Sequence, residues 1–263
     1  MPLREVRNLR KRFGGLLAVD SVRFAIEPGR ITSLIWPNGA GKTTLFNLIT
    51  GIYRPDLGTI VYKDRSLVGC RPHRVVELGV ARTFQGIRLF PGLTVLENVM
   101  AGCHCRGKAG AVAALWRSRG QRREEAEIRS RAEECLRFMR AEHLSSEPAR
   151  SLSYGDQRRV EVARALATEP QLVALDEPAA GLNDEESADL VDLIRRIRDR
   201  GITVFLIEHD MKVVMGVSDW VLVLDNGRLI AAGRPEEVRA NPQVIEAYLG
   251  RGAVAETRGT NGG

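Results

Sequence analysis

The sequence predicts an α/β fold: a largely parallel, buried sheet with an antiparallel β layer beside it and a helical subdomain inserted into it. Short apolar runs recur between helical patterns, turn dipeptides flank several half-exposed strands, and the middle of the chain switches to helical periodicity.

Residues 21–26 alternate as a half-exposed strand and end on the turn Pro28-Gly29. Ile31–Ile35 is a continuous apolar run, the pattern of a strand covered on both faces. A helical pattern follows at 45–50, and a second half-exposed strand at 59–63. From about 94 to 168 the chain reads as helices, with Ile128, Ala132, Cys135, Leu136 and Met139 on one face and arginines and glutamates on the other. Residues 172–175, 203–207 and 220–224 repeat the buried-strand pattern. The turn Asn226-Gly227 leads into 228–232, which is expected, with 21–26 and 59–63, in the antiparallel layer. Residues 251–263 are rich in Gly and Thr without apolar periodicity, as in a frayed tail.

The chain has 263 residues, 44% of them hydrophobic, enough for one sizeable core. No apolar run approaches the roughly 18 residues a membrane helix needs, and residues 1–13 are too charged for a secretory segment, so a cytosolic protein is expected. Cys70, Cys103, Cys105 and Cys135 form no Cys-x-x-Cys pair and are read as reduced thiols. Cys103, His104 and Cys105 lack the second ligand pair of a finger-like metal site and are read as helix or loop residues. The net charge is +6; across 106–140 Arg and Lys outnumber Glu by about two to one. That excess fits a solvated helical face, and also contact with headgroups, an acidic partner or nucleic acid.

After Ile31–Ile35 comes Trp36-Pro37-Asn38-Gly39-Ala40-Gly41-Lys42-Thr43-Thr44, then the helix. Strand, glycine loop, Lys-Thr and helix form the context of a phosphate-binding loop. Small residues let backbone N–H groups close on phosphate oxygens at a helix N-terminus. Lys42 adds charge for the β- and γ-phosphates, and the Thr43 hydroxyl suits Mg²⁺. The first glycine of the pattern is replaced by Trp36. Residues 172–178, Leu-Val-Ala-Leu-Asp-Glu-Pro, form a buried strand ending in two carboxylates. Asp176 suits the Mg²⁺ shell and Glu177 the activation of water.

Between them lies Leu152-Ser153-Tyr154-Gly155-Asp156-Gln157-Arg158-Arg159. This run resembles the signature motif of ABC ATPases, usually Leu-Ser-Gly-Gly-Gln, with Tyr154 and the additional acid Asp156 as departures. The variant is similar to the LivG-like branched-chain amino acid transport subfamily. Ser153, Gly155 and Gln157 at the start of a helix form a second anion-binding end, which is also what a plain helix cap would look like.

The resemblance spans residues 3–250 and implies a P-loop NTPase (RecA-like) core. One ABC ATPase domain is expected at 1–250, with its core near 1–93 and 169–250, its helical subdomain near 94–168 and a disordered tail at 251–263. It further implies that Gln85, in Arg82-Thr83-Phe84-Gln85, reaches Mg²⁺ and the attacking water and faces the membrane partner. His209 matches the histidine that contacts the γ-phosphate, Phe13 the aromatic that stacks on adenine, which an edge-strand core residue would also look like, and residues 180–183 the loop through which paired subunits touch, with Asn183 where relatives carry Asp.

In function, the resemblance implies an ATP- and Mg²⁺-dependent ATPase that powers an amino-acid importer. Its phosphate-binding loop and a partner's signature motif clamp one ATP, and hydrolysis reopens the pair. Expected partners are a second ABC ATPase, in a heterodimer rather than a homodimer, two integral membrane permeases and, indirectly, an external binding protein. The protein then sits peripherally on the cytoplasmic face of the cell membrane. Two other functions are consistent with particular residues: an ATPase-impaired subunit, because of Trp36, and a soluble ABC protein acting on nucleic acid, because of 106–140. The second lacks the duplicated ATPase unit or coiled coil of such relatives, so no nucleic acid is expected.

Overall fold

The computed structural model describes residues 3–36, 42–104 and 119–249. The chain divides into two compact units, Met1–Pro72 with Ile194–Gly263, and His73–Leu193.

The first unit begins with β1 (Arg4–Phe13) and β2 (Leu16–Ile26), an antiparallel hairpin turning at Gly14, whose φ of +55° suits glycine. Val22, Phe24 and Ile26 point inward while Arg23 is exposed, the period-2 pattern of a sheet with one buried face. β3 (Ile31–Ile35), buried throughout, leads towards α1 (Lys42–Ile49). β4 (Leu57–Tyr62) and β5 (Arg65–Ser66) complete an antiparallel sheet in the order β2-β1-β4-β5.

The second unit contains α2 (Pro72–Glu77, its first residue at the boundary), β6 (Val80–Arg82), α3 (Val95–Cys103), α4 (Arg119–Phe138), α5 (Tyr154–Leu166), β7 (Leu172–Asp176) and the start of α6 (Asp184–Asp199). Thr94 caps α3 through a reciprocal box: Glu97 N donates to its hydroxyl at 3.2 Å and Thr94 N donates to the Glu97 carboxylate at 2.8 Å. Such a cap contributes about 1 kcal/mol. On α4 and just beyond it, Ile128, Ala132, Leu136 and Met139 are buried, while the pairs Arg123–Glu127 and Arg129–Glu133 occupy the exposed face. α3 packs against both α4 and α5, and β6 runs parallel to β7.

The chain returns to the first unit through β8 (Thr203–Ile207), α7 (Met211–Val217), β9 (Trp220–Asp225), β10 (Arg228–Gly233), α8 (Pro235–Arg239) and α9 (Pro242–Leu249). There the sheet order is β10-β9-β3-β8, with β3 parallel to both β8 and β9. Ile35, Val214, Val221, Val223, Val238 and Val244 share one core cluster beneath α7, α8 and α9. One strand departs from expectation. Residues 228–232 do not join the antiparallel layer; Asn226 and Gly227, both at positive φ, fold β10 back on β9 as the antiparallel edge of the mostly parallel sheet. The tail 251–263 lies outside the described residues.

Candidate functional site

In the first unit, the pairing Leu34↔Ile207 sets the carboxyl ends of β3 and β8 side by side. Parallel strands place their ligands at this edge. β3 continues into Trp36, whose side chain is only 6% exposed. Pro37, Asn38, Gly39, Ala40 and Gly41 lie outside the described residues; α1 begins at Lys42, with Thr43 exposed and Thr44 half-buried in its first turn. β8 continues into Glu208 and His209. The Glu208 carboxylate is fully buried and accepts the backbone N–H groups of His209 (3.1 Å) and Asp210 (3.4 Å), leaving the imidazole exposed. Asp210 then caps α7 by accepting from Lys212 N at 2.7 Å. Phe13 is exposed at the hairpin turn, edge-on to Tyr53 with ring centroids 5.5 Å apart and beneath the Lys11 ammonium.

In the second unit, β7 delivers Asp176 and Glu177, both buried. Arg82, at the end of neighbouring β6, meets Asp176 at 3.4 Å, and the Thr83 hydroxyl accepts from Asp176 N at 3.2 Å. Burial pushes the Arg82 pKa down, and the Asp176 charge partly restores it. Glu177 has a φ of +46°, a left-handed backbone that costs a non-glycine residue about 1–2 kcal/mol. Gln85 Nε2 donates to Glu177 Oε2 at 3.0 Å, joining the two residues assigned to the water.

Ser153 caps α5. Its hydroxyl accepts from Asp156 N at 3.2 Å and donates to the Asp156 carboxylate at 2.7 Å. Gln157 Nε2 donates back to Leu152 O at 3.0 Å. Ser153 remains exposed, so the helix start presents its capping hydroxyl to solvent. A Cβ added at Gly155 would meet the Glu186 carboxylate at 2.8 Å, so a side chain there would displace that group. Glu186 and Asn183 cap the start of α6 reciprocally, each accepting the other's backbone N–H at 2.9 Å.

The structure brings Gln85, Asp176 and Glu177 together, and groups Ser153, Gly155 and Gln157 at one helix start. Sequence reasoning missed Arg82, Thr83, Arg158, Glu161 and Glu208. For the third and fourth a signal was present: Arg158 and Glu161 are charged residues of opposite sign at i, i+3, the spacing that brings them together on one side of a helix, in a run that also holds Val160, Val162 and Ala163. Among the described residues there is no cluster of three or more His, Cys, Asp or Glu able to hold a metal. Cys103 is buried, and Cys105 lies outside the described residues. No helix among the described residues is long and apolar enough to cross a membrane.

Comparison with known proteins adds the following. The family model described as ABC transporter matches residues 19–180, and that described as branched-chain amino acid ATP-binding cassette transporter matches 228–254. The chain is 46% identical over 250 residues to the high-affinity branched-chain amino acid transport ATP-binding protein LivG of Escherichia coli, covering 95% of this chain and 98% of that one. It is 44% identical over 250 residues to the corresponding protein BraF of Pseudomonas aeruginosa, with the same coverage. Among solved structures, the ADP conformation of an ATP-binding cassette of an ABC transporter superposes with a TM-score of 0.83 at 33% identity, over 95% of this chain and 99% of that one. A dimeric bacterial ABC transporter cassette gives 0.75 at 25% identity, over 88% and 98%.

Proposed function

We propose, from the premise that this chain belongs to the ABC transporter ATP-binding family, that it hydrolyses ATP to drive import of branched-chain amino acids. Membership makes it a nucleotide-binding cassette and an ATPase. The cargo rests on one observation, the near-full-length likeness to branched-chain amino acid transport subunits.

The residues suit Mg²⁺-ATP as substrate. The Thr43 hydroxyl and the Asp176 carboxylate are the hard oxygen donors this cation prefers, and Arg82 meets Asp176 at the strand end. Mg²⁺ bound with ATP would neutralise charge on the phosphates. Lys42 and the loop 37–41 would hold the phosphates, and Phe13 the adenine. In the reaction, a water oxygen bonds to the γ-phosphorus, the bond to the β,γ-bridging oxygen breaks, and the water's proton passes to Glu177, leaving ADP and phosphate. The Gln85 amide holds the Glu177 carboxylate in place, and the exposed imidazole of His209 would contact the γ-phosphate. Ser153, Gly155 and Gln157 would serve the nucleotide of a second ATPase subunit.

A cleft of about 330 Å³ in the second unit, lined by Val76, Phe84, Phe90, Arg164 and Thr168 among others, supports a membrane subunit as the other partner. Phe90 is 51% exposed and Leu93 38%, large apolar side chains left at the surface of this unit. Two permeases would hold the protein at the cytoplasmic face of the membrane. The test is ATP-dependent uptake of leucine, isoleucine and valine by vesicles carrying the complete transporter. Uptake of urea or amides without these amino acids would replace the cargo.

A further inference from the structure

The geometry points to Arg158 as a positioning residue that fixes, from inside α5, the backbone presenting Gln85 to Glu177, with Tyr154 as its anchor at the helix start. This rests on the reading of Gln85 and Glu177 as the water-activating pair.

Arg158 is 1% exposed, so its guanidinium has surrendered its hydration and must be paired within the protein. Nη1 donates to Glu161 Oε2 at 2.8 Å and to Phe84 O at 3.0 Å. Nη2 donates to Gln85 O at 3.1 Å and to Tyr154 Oη at 3.0 Å. Glu161 completes the grip by accepting Phe84 N at 3.4 Å. The polar backbone on either side of Gln85's own nitrogen therefore terminates on one helix, and the Gln85 side chain leaves that backbone to meet Glu177. Burial raises the Glu161 pKa, and the Arg158 charge, the Phe84 N–H and the Arg164 charge oppose the rise.

A buried pair serving stability alone needs only its own two members, and apolar residues of equal volume often replace such a pair without loss. Here the donors reach outward to a loop and to Tyr154, where the family's usual motif has glycine. The Tyr154 ring in turn lies against Gly181, which sits at φ +80°; a Cβ there would be 3.2 Å from the ring. Contacts thus run unbroken from the 180–183 loop through Tyr154 and Arg158 to Gln85 and Glu177. A shift of the first turn of α5, the end that offers Ser153 to a partner's nucleotide, is carried to the Gln85 backbone by hydrogen bonds. Hydrolysis geometry then depends on how the signature helix is seated.

The experiment compares Arg158→Met, Arg158→Lys and Tyr154→Phe in the full-length chain assembled into its transporter. Turnover at saturating ATP is measured with KM, and each variant is repeated in a Gln85→Ala background. Arg158→Met is expected to lower kcat about tenfold or more with KM changed less than about twofold, Arg158→Lys to recover part of the loss, and Tyr154→Phe to lower kcat about threefold. In the Gln85→Ala background the same changes should cost less than about twofold, because they act through Gln85. A folded Arg158→Met with parental kcat, or full additivity with Gln85→Ala, would overturn the proposal. If Arg158→Met does not fold, Tyr154→Phe decides, since it leaves the Arg158–Glu161 pair intact: an unchanged kcat overturns the proposal and a lowered one supports it. Glu177→Gln is run in parallel. Parental turnover in that variant defeats the underlying reading of the base, an outcome separate from any result at Arg158.

Discussion

Gln85 and Glu177 are 92 residues apart in sequence, yet the amide of one donates to the carboxylate of the other at 3.0 Å. Parallel pairing of β6 with β7 places the segments that follow them on the same edge, and the left-handed φ of Glu177 turns its side chain away from the strand's alternation. The conformation is costly for glutamate, so its retention fits a residue whose carboxylate must occupy one position.

Glu177→Gln should therefore leave ATP affinity within about twofold while lowering turnover by a factor on the order of 10²–10⁴, the usual range for losing a general base. The variant should accumulate as an ATP-bound dimer, visible by size-exclusion chromatography with nucleotide. Unchanged turnover under conditions where the parent is active would remove Glu177 from the role.

For Ser153→Arg, the expectation is a separation of binding from catalysis. The Ser153 hydroxyl caps α5 and is exposed, so on the proposed shared site a bulky cation there blocks the partner's nucleotide. Turnover of the assembled pair should vanish while the isolated chain still binds ATP. Loss of nucleotide affinity in the isolated chain would contradict the shared site.

Asp20 gives a pH-dependent test of the first unit. Its carboxylate accepts two bonds from Arg228, Nε at 2.8 Å and Nη2 at 2.6 Å, tying β2 to the β9–β10 hairpin. The Arg228 bonds hold the Asp20 pKa below its ordinary 3.8, partly against desolvation. A depressed carboxylate pKa means that the folded state binds the proton less readily. The stabilisation is present above the ordinary value and disappears as pH falls through the folded one. Asp20→Asn should lower the thermal midpoint at pH 7, and the gap to the parent should narrow below about pH 4. An equal gap at pH 7 and pH 3 would show that the pair's charge contributes nothing.

The buried strands of this fold were legible because both faces are covered: Ile31–Ile35 and 203–207 are continuous apolar runs in the sequence and buried strands in the structure. β1 was not. Its residues are mostly charged, and bulges at Asn8, which has φ +48°, break the alternation between Val6 and Leu9. β6 spans three residues, too few for a period. Gln85, Asp176 and Glu177 could be singled out as candidates because their motifs are contiguous in the chain. The Arg158–Glu161 grip could not, because its meaning depends on a loop 73 to 77 residues away. The strand at 228–232 was recognised but misplaced, since a turn dipeptide specifies a hairpin without saying which sheet receives it.

The docking surface proposed for a membrane subunit yields a crosslinking test. Arg88 lies over the Phe84 ring at 4.5 Å, and Leu93 is exposed just before the α3 cap. Cysteines introduced at Arg88 and Leu93 should crosslink to a permease subunit in the assembled transporter, with yields that change on adding ATP. Crosslinks to soluble proteins alone would place the membrane contact elsewhere.

Trp36 provides the sharpest test, because two effects of one substitution oppose each other. At the first position of a phosphate-binding loop, glycine leaves the strand close to nucleotide and backbone, and an indole there must find volume elsewhere. It is found inside the protein, since Trp36 is 6% exposed. Nor does the site demand a glycine-only backbone, because Trp36 is absent from the non-glycine residues with positive φ, so backbone strain drops out of the argument. Packing and catalysis remain. Trp36→Gly empties a buried site, and removing a large aromatic side chain from a core costs about 3–5 kcal/mol, so the thermal midpoint should fall by several degrees or more. Turnover should move the other way. Freeing the loop beside the phosphates is expected to raise kcat at least about tenfold, equivalent to about 1.4 kcal/mol of barrier, with a smaller gain in ATP affinity because geometry matters most in the transition state. The measurements are thermal melts, ATP affinity and turnover of both proteins in the assembled pair. A destabilised variant with parental turnover would mean that the indole packs without disturbing the loop, and the steric argument would fail.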